Sequence, residues 1–363
     1  MATVGRCRVS DREARTGMSR TSPEMIDTPL GALRVAFGER TETCLVATSV
    51  KTGRTLLSTP DVATQEQSRF DRCARVGLPQ ARHDVDEATY LDFLTTQVVD
   101  WDPTEIGRLK AIIRGLKPVF AGIDMDLPQV IYLVKTTGRE EASAAYTRHV
   151  DTIVLPANMV ASLRTPPPGG DDLHPATSTG YLAGILTHEL FHILSKNNPT
   201  VRARLFAKLG FRELAAPLAM PDDLAPCGLP YSALKITNPD APRLNVAIDL
   251  VPPKRTAKVP MVPVLVSSSP YEGGVFFATL QWVFFELDDA ATGWRRGADG
   301  RLRVHPSKSL QKQYLKRVGR NLTEEIFHPD EILAQSFVIS AHQPSMKLLE
   351  RLSDMIWPGR VGS

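Results

Sequence analysis

Two histidines and a glutamate lie in the otherwise apolar stretch GILTHELFHILS, residues 184–195. No proline or glycine interrupts residues 185–195, so the stretch predicts a buried helix. His188 and His192 are four residues apart and therefore project from the same helix face. Two imidazoles at this spacing are typical of a single zinc site. Glu189 lies to one side, where its carboxylate would take a proton from a water molecule on the metal.

The competing interpretation is a core helix whose two histidines are simply hydrogen-bonded. In a chain with 8 histidines among 363 residues, this pattern arises by chance roughly once in a hundred chains. The core interpretation also leaves the neighbouring Glu189 buried without a partner, which is costly. The metal interpretation is therefore favoured.

The segment ILTHELFHIL, residues 185–194, resembles the active-site helix of the zincin metallopeptidases. In zincins a small sheet precedes this helix, and its edge strand aligns the substrate as an added strand through main-chain hydrogen bonds. The resemblance implies an α+β fold with a small mixed sheet, an edge strand above the HExxH helix and a later glutamate-bearing helix. It also implies a Zn²⁺-dependent hydrolase that cleaves a peptide or protein substrate, with His188 and His192 as ligands and Glu189 as catalytic base.

Among the zincins, the metzincin pattern HExxHxxGxxH fails because Ser195 replaces the glycine and Asn198 replaces the third histidine. The EGCLS motif of peptide deformylases is also absent from the sequence. A gluzincin-like arrangement remains, in which a glutamate on a later helix is the third ligand. In that group an acidic or amide residue four positions on commonly orients a ligand histidine.

Two glutamates compete for the place of third ligand. Glu331, in HPDEILAQSFV, follows Pro329 at the start of a predicted helix and has Gln335 four residues on. Glu213, in GFRELAAPL, is nearer in sequence, but Pro217 lies where its helix should continue. Glu331 is favoured, and Glu213 stays open as the alternative.

A zincin also needs a hydrogen-bond donor that stabilises the tetrahedral oxyanion, usually a tyrosine or a histidine. His328 and Tyr271 are equal candidates, and Tyr231 is a third. All three lie in segments that predict turns, so a packing function is the alternative for each.

The remaining segments predict the elements around this site. WDPTEIGRLKAIIRGLKPVF, residues 101–120, predicts a helix with Asp102 as N-cap and Pro103 at its first position. Residues 127–137 predict a strand, and residues 146–156 predict a second strand that we place at the sheet edge.

The order of these elements favours an α+β fold over regular βαβ alternation. The predicted organisation is a disordered arm at residues 1–28, an N-terminal β or irregular extension at 29–100, and a zincin-like catalytic domain at 101–363 with a proline-rich β insertion at about 212–300.

Composition excludes some broad classes of function. A net charge of +3 gives no general attraction to nucleic acid, and no apolar run is long enough to cross a membrane. Four cysteines without a CxxC pair, and no signal peptide, predict a reducing compartment, the cytoplasm.

Two other functions stay open. One is a non-catalytic, zinc-stabilised interaction protein with the same ligands. The other is an anion-binding module at the basic residues 294–320, for which a solvated surface is the simpler explanation.

Overall fold

The structure, a computed structural model, describes residues 27–37, 40–120, 123, 126–161, 178–318 and 327–342. Apart from residues 27 and 28, the predicted disordered arm lies outside these residues. Two five-stranded sheets and ten helices make up the described chain. The mixed α and β composition that the sequence predicts is confirmed.

The first sheet has the strand order β1-β2-β3-β5-β4. The two central pairs, β2 with β3 and β3 with β5, are parallel, whereas the outer pairs are antiparallel, so the sheet is mixed. Its strands are β1 (Thr28–Phe37), β2 (Arg40–Ala47), β3 (Val130–Thr136), β4 (Tyr146–Arg148) and β5 (Thr152–Pro156).

The prediction of a single strand at residues 146–156 is wrong in one respect, because these residues form a hairpin of two strands, β4 and β5. His149, in the turn, has a positive φ of 52°, a left-handed conformation that stops the ladder and reverses the chain. The edge strand is therefore the three-residue β4, and β5 lies inside the sheet.

The predicted boundary at residue 100 does not divide the sheet, because β2 of the supposed extension pairs directly with β3. Residues 50–97 are also helical rather than irregular. Their N-caps are Ser49, Asp61, Ser68 and Asp86, whose side chains accept a main-chain N–H of the first turn. The helices are α1 (Val50–Ser58), α2 (Val62–Gln65), α3 (Arg69–Val76) and α4 (Glu87–Gln97).

The proline-rich insertion forms a second sheet, antiparallel throughout, with the order β10-β9-β8-β7-β6. It extends slightly beyond the predicted limit of about residue 300. Its strands are β6 (Phe211–Glu213), β7 (Val246–Leu250), β8 (Val259–Ser267), β9 (Leu280–Glu286) and β10 (Val304–Pro306).

The longer helices lie against these sheets. The helix predicted at residues 101–120 is confirmed as α5 (Pro103–Phe120), and Asp102 accepts the main-chain N–H of Thr104 at its start. The others are α6 (Ala157–Ala161), α7 (Ser178–Asn197), α8 (Pro199–Lys208), α9 (Ser307–Val318) and α10 (Pro329–His342). Every helix in the described ranges is too short or too polar to cross a bilayer.

One continuous apolar core joins α5, α7 and α10 to both sheets. The helix α7 lies at its centre, and Leu182, Leu186, Leu190 and Leu194 are fully buried along it. A helix that is apolar nearly all round belongs in such an interior. Polar side chains on α7 are consequently held in place by packing.

Candidate metal centre

The two histidines of α7 lie side by side, with ring centroids 4.8 Å apart. His192 is fully buried, whereas the His188 side chain is 15% exposed and lies in the wall of a large cavity. This is the arrangement that a four-residue spacing on one helix predicts. Both rings face α10.

The helix α10 brings Glu331 to both histidines. Glu331 Oε2 lies 3.1 Å from His188 Nε2 and 3.4 Å from His192 Nε2. Glu331 is in the first turn of α10, where the helix dipole favours a carboxylate. Packing of Phe337 on Phe191, at a ring distance of 5.4 Å, holds α10 against α7.

Asp330, the residue before Glu331, orients the second histidine. His192 Nδ1 donates to Asp330 Oδ2 at 2.8 Å, and Ser195 Oγ donates to the other carboxylate oxygen. A carboxylate on the far nitrogen of a ligand histidine fixes its tautomer and raises its basicity. His192 Nε2 is therefore directed at Glu331.

Glu189 lies beside this cluster with its carboxylate in the cavity wall. It is 4% exposed, and its Oε2 has no hydrogen-bond partner within the described chain. Burial raises its pKa, and the nearby Asp240 carboxylate adds to the effect, bringing the value to about 8. Glu189 is thus a proton acceptor of near-neutral pKa in the metal-free protein.

The same carboxylates set the charge of the histidines. Burial lowers the pKa of each imidazole, but the neighbouring carboxylates, Glu331 foremost, together outweigh it. The pKa of His188 is consequently raised and that of His192 is raised strongly. Burial raises the pKa of Glu331, yet His192 and His188 hold it well below its ordinary value. The imidazoles and the Glu331 carboxylate therefore stabilise each other's charged forms.

A cavity of about 760 Å³ opens above His188 and Glu189. Its size is within the range of small-ligand sites. Its lining combines polar residues of the segment 237–240 with apolar residues from α7, α10 and the second sheet. The apolar lining includes Ile185, Leu265, Phe277, Leu280, Trp282 and Val338.

The residues at this site fit a zinc ion. Candidate ligand atoms of His188, His192 and Glu331 all lie within 4.8 Å of one another. Glu189 Oε2 is buried without a hydrogen bond among the described residues, and His192 Nε2 is buried with only its 3.4 Å contact to Glu331 Oε2. Poorly satisfied buried polar atoms are costly, and a bound cation would relieve this state. Two imidazoles and a carboxylate, with one side open to a cavity, form a donor set typical of hydrolytic zinc sites.

The structure separates the two candidate third ligands. Glu213, in β6, is paired with Arg202 at 2.9 Å, and it is Glu331 that faces the histidines. Gln335 lines the cavity, but Asp330 rather than Gln335 is hydrogen-bonded to His192, a candidate ligand.

His328 is not placed to stabilise an oxyanion in this cavity. Its Nδ1 accepts the main-chain N–H of Asp330 at 3.1 Å, so it caps α10. The ring packs edge-on against Phe206 and lines two smaller cavities rather than the large one. Burial lowers its pKa to about 4, so it is neutral near pH 7.

Neither candidate tyrosine reaches the histidines. Tyr271 is buried, its hydroxyl donates to the Gly274 carbonyl at 3.1 Å, and its ring packs edge-on against Phe70. Tyr231 packs against Phe285 of the second sheet. The described residues that line the large cavity include neither Tyr271 nor Tyr231, so both belong to packing.

Sequence reasoning missed three polar residues of the site. Asp330 could have been predicted from the sequence, because it directly precedes Glu331 in the first turn of the same helix. Asn238 and Asp240 lie in TNPDAP, which by composition predicts only a turn. Their proximity to α7 and α10 depends on the path of the second sheet.

The basic segment at residues 294–320 is partly neutralised. Arg295 pairs with Asp289, Arg296 with Asp223, and Arg303 lies 3.7 Å from Asp299. These exposed pairs favour the solvated surface over an anion-binding module.

Comparisons with protein-family models, with curated proteins and with solved structures each returned no match. What the chain does must therefore be inferred from the donors, carboxylates and cavity that surround His188.

Proposed function

We propose that the chain is a gluzincin-like zinc hydrolase that cleaves peptide bonds. The observation that supports it most is the convergence of His188, His192 and Glu331 beside the buried carboxylate of Glu189, at the floor of an open cavity. His188, His192 and Glu331 would hold the ion. When bound, zinc would act as a Lewis acid that lowers the pKa of water to near neutral.

Glu189 acts as the general base. It takes a proton from the attacking water and passes that proton to the nitrogen of the leaving amine, so the amine departs neutral. Its position in the cavity wall gives it access to both, and burial strengthens its basicity. Asp330 keeps His192 in the tautomer that presents Nε2.

The residues just before the edge strand β4 give a substrate a place to pair, because within β4 itself the outward main-chain N–H of Thr147 is already bonded to Asp240. Ala144 and Ala145, just before β4, line the cavity, and β4 is the outer strand of its sheet. An extended peptide would pair there, at Ala145, by main-chain hydrogen bonds. The apolar walls around Trp282 favour a substrate with a large apolar side chain near the cleaved bond.

The cavity also favours catalysis over the alternative of a non-catalytic zinc-stabilised protein. Structural zinc sites are closed by four protein ligands, whereas His188 and Glu189 here border open space. A cavity of this size beside a three-residue donor set is typical of a catalytic site.

Elemental analysis of purified protein, with His188→Ala beside the wild type, tests the proposal first. We expect about one zinc per chain, lost in the variant. Wild-type protein that contains no metal and takes up none on addition of zinc would remove the basis for the proposed function. Stoichiometric zinc without peptide hydrolysis would instead favour the interaction protein.

A further inference from the structure

The turn Thr237–Pro242 lies between the second sheet and the candidate metal centre, and its Asn238 contacts Glu331. Asn238 Nδ2 donates to Glu331 Oε1 at 2.5 Å. Glu331 Oε2, the other oxygen, is the one that faces both histidines. The two oxygens of this carboxylate therefore have different partners.

The orientation of the Asn238 amide is fixed within the turn itself. Asn238 Oδ1 accepts the main-chain N–H of Asp240 at 2.8 Å, which leaves the NH₂ group to face Glu331. Asp240 is in turn held to the edge strand, because its carboxylate accepts the main-chain N–H of Thr147 at 2.8 Å.

The turn is also held by the N-terminal helices. Thr237 N donates to both carboxylate oxygens of Asp71 on α3, at 3.1 and 3.0 Å, and Thr237 O accepts from Arg75 at 2.8 Å. Arg75 and Asp71 are themselves paired and buried. Both main-chain groups of Thr237 are hydrogen-bonded to a buried ion pair, and this fixes the position of the adjacent Asn238.

We infer that Asn238 is a positioning residue for Glu331, the third metal ligand. This inference rests on the proposed function. By holding Oε1, it keeps Oε2 directed at the metal position and leaves Glu331 one oxygen for the ion. Groups that hydrogen-bond to a ligand carboxylate commonly affect metal affinity by about 10–100-fold. Loss of the Asn238 amide should weaken zinc binding to that extent while the ligands themselves remain.

The test measures zinc affinity by competition with a chromophoric chelator for wild type, Asn238→Ala and Asn238→Leu. The leucine variant keeps the same branching and number of side-chain heavy atoms, so it separates loss of the amide from loss of packing. Asn197→Ala is the matched control, because the Asn197 amide donates to the Val150 and Ile193 carbonyls and not to a site carboxylate. We expect both Asn238 variants to lose about 10–100-fold in affinity and the control to stay within about twofold.

Visible absorption of the Co²⁺-loaded proteins gives a second readout. A Glu331 freed to offer both oxygens would raise the coordination number and reduce the intensity of the cobalt bands in both Asn238 variants. Tight zinc binding by the wild type, with affinity and cobalt spectrum unchanged in both Asn238 variants, would overturn the inference and leave the proposed function standing. Wild-type protein that binds neither metal would overturn both.

Discussion

His192 and Asp330 are joined through the imidazole nitrogen that points away from the cavity, with Nδ1 and Oδ2 2.8 Å apart. Asp330 precedes Glu331 on the same helix turn, so one turn of α10 approaches His192 from two sides. Ser195, three residues after His192 on α7, donates to the same Asp330 carboxylate. The relationship between the two helices is thus fixed by charge as well as by packing.

Replacing Asp330 tests this orientation. Asp330→Ala should weaken zinc binding by about 10–100-fold, because His192 loses the partner that sets its tautomer and its basicity. Chelator competition measures the loss. Ser195→Ala, which removes only the hydroxyl behind Asp330, should have a smaller effect. Equal zinc affinity in Asp330→Ala and wild type would contradict the assigned orientation.

The two glutamates that the sequence leaves in competition provide a matched pair. Glu331→Ala should lose zinc on dialysis, whereas Glu213→Ala should retain it, since Glu213 is bonded to Arg202. Metal analysis of the two variants, prepared side by side, shows which glutamate is the third ligand. Retained zinc in Glu331→Ala with loss in Glu213→Ala would reverse the ligand assignment.

Glu189→Gln should keep zinc and lose turnover. The amide fills the same space but cannot accept the proton from water, and general-base catalysis contributes roughly 10²–10⁴-fold to rate. The measurement is kcat on a peptide substrate alongside zinc content. Wild-type turnover in a zinc-loaded Glu189→Gln would end the mechanistic proposal.

Stability of the metal-free protein should fall as pH rises from about 5 to 8. The pKa of Glu189 is raised from 4.5 to about 8 in the folded state, so the folded protein keeps a proton that the unfolded chain has already lost. Its contribution to stability is complete below the unfolded pKa and disappears through the folded pKa, at up to about 1.4 kcal/mol per pH unit.

Urea unfolding of wild type and Glu189→Gln, both with chelator, measures this pH dependence. The variant lacks the titrating group, so its stability relative to wild type should increase with pH over the same interval. Parallel pH profiles for the two proteins would show that Glu189 does not titrate there.

Substrate preference should depend on Trp282. Trp282→Ala enlarges the apolar side of the cavity, and we expect kcat/KM for peptides with a large apolar side chain to fall by about 10–100-fold. Peptides with small side chains should be affected much less. Trp294→Ala is the control, because Trp294 packs on Phe285 away from the cavity. An equal loss for both peptide classes would argue against a pocket at Trp282.

The local sequence pattern was sufficient to predict that His188 and His192 lie together at the centre of the site. The spacing of His188 and His192 fixes their common face once the segment is helical, and the proline before Asp330 marks the start of α10. The four helices at residues 50–97 and their N-caps, such as Ser68, were not predicted, because these helices are short and lack a long apolar period.

What the sequence could not predict depends on contacts between distant segments. The place of Asn238 beside Glu331 requires the second sheet to return the chain to α10, across 93 positions in sequence. The capping function of His328 likewise depends on which side of α10 faces the cavity. Residue type suggested an oxyanion donor there, but the main-chain N–H of Asp330 is its partner.

His188 and Glu331 are separated by 143 positions in the chain. In the unfolded chain these donors are far apart on average, and bringing them together costs loop-closure entropy. A zinc ion held by these residues would therefore distinguish sharply between the folded and unfolded ensembles. At a free concentration a thousand times its dissociation constant, it would add about 4 kcal/mol to the free energy of unfolding. The supply of zinc during synthesis would then influence how much of this chain survives proteolysis, quite apart from whether any substrate is present.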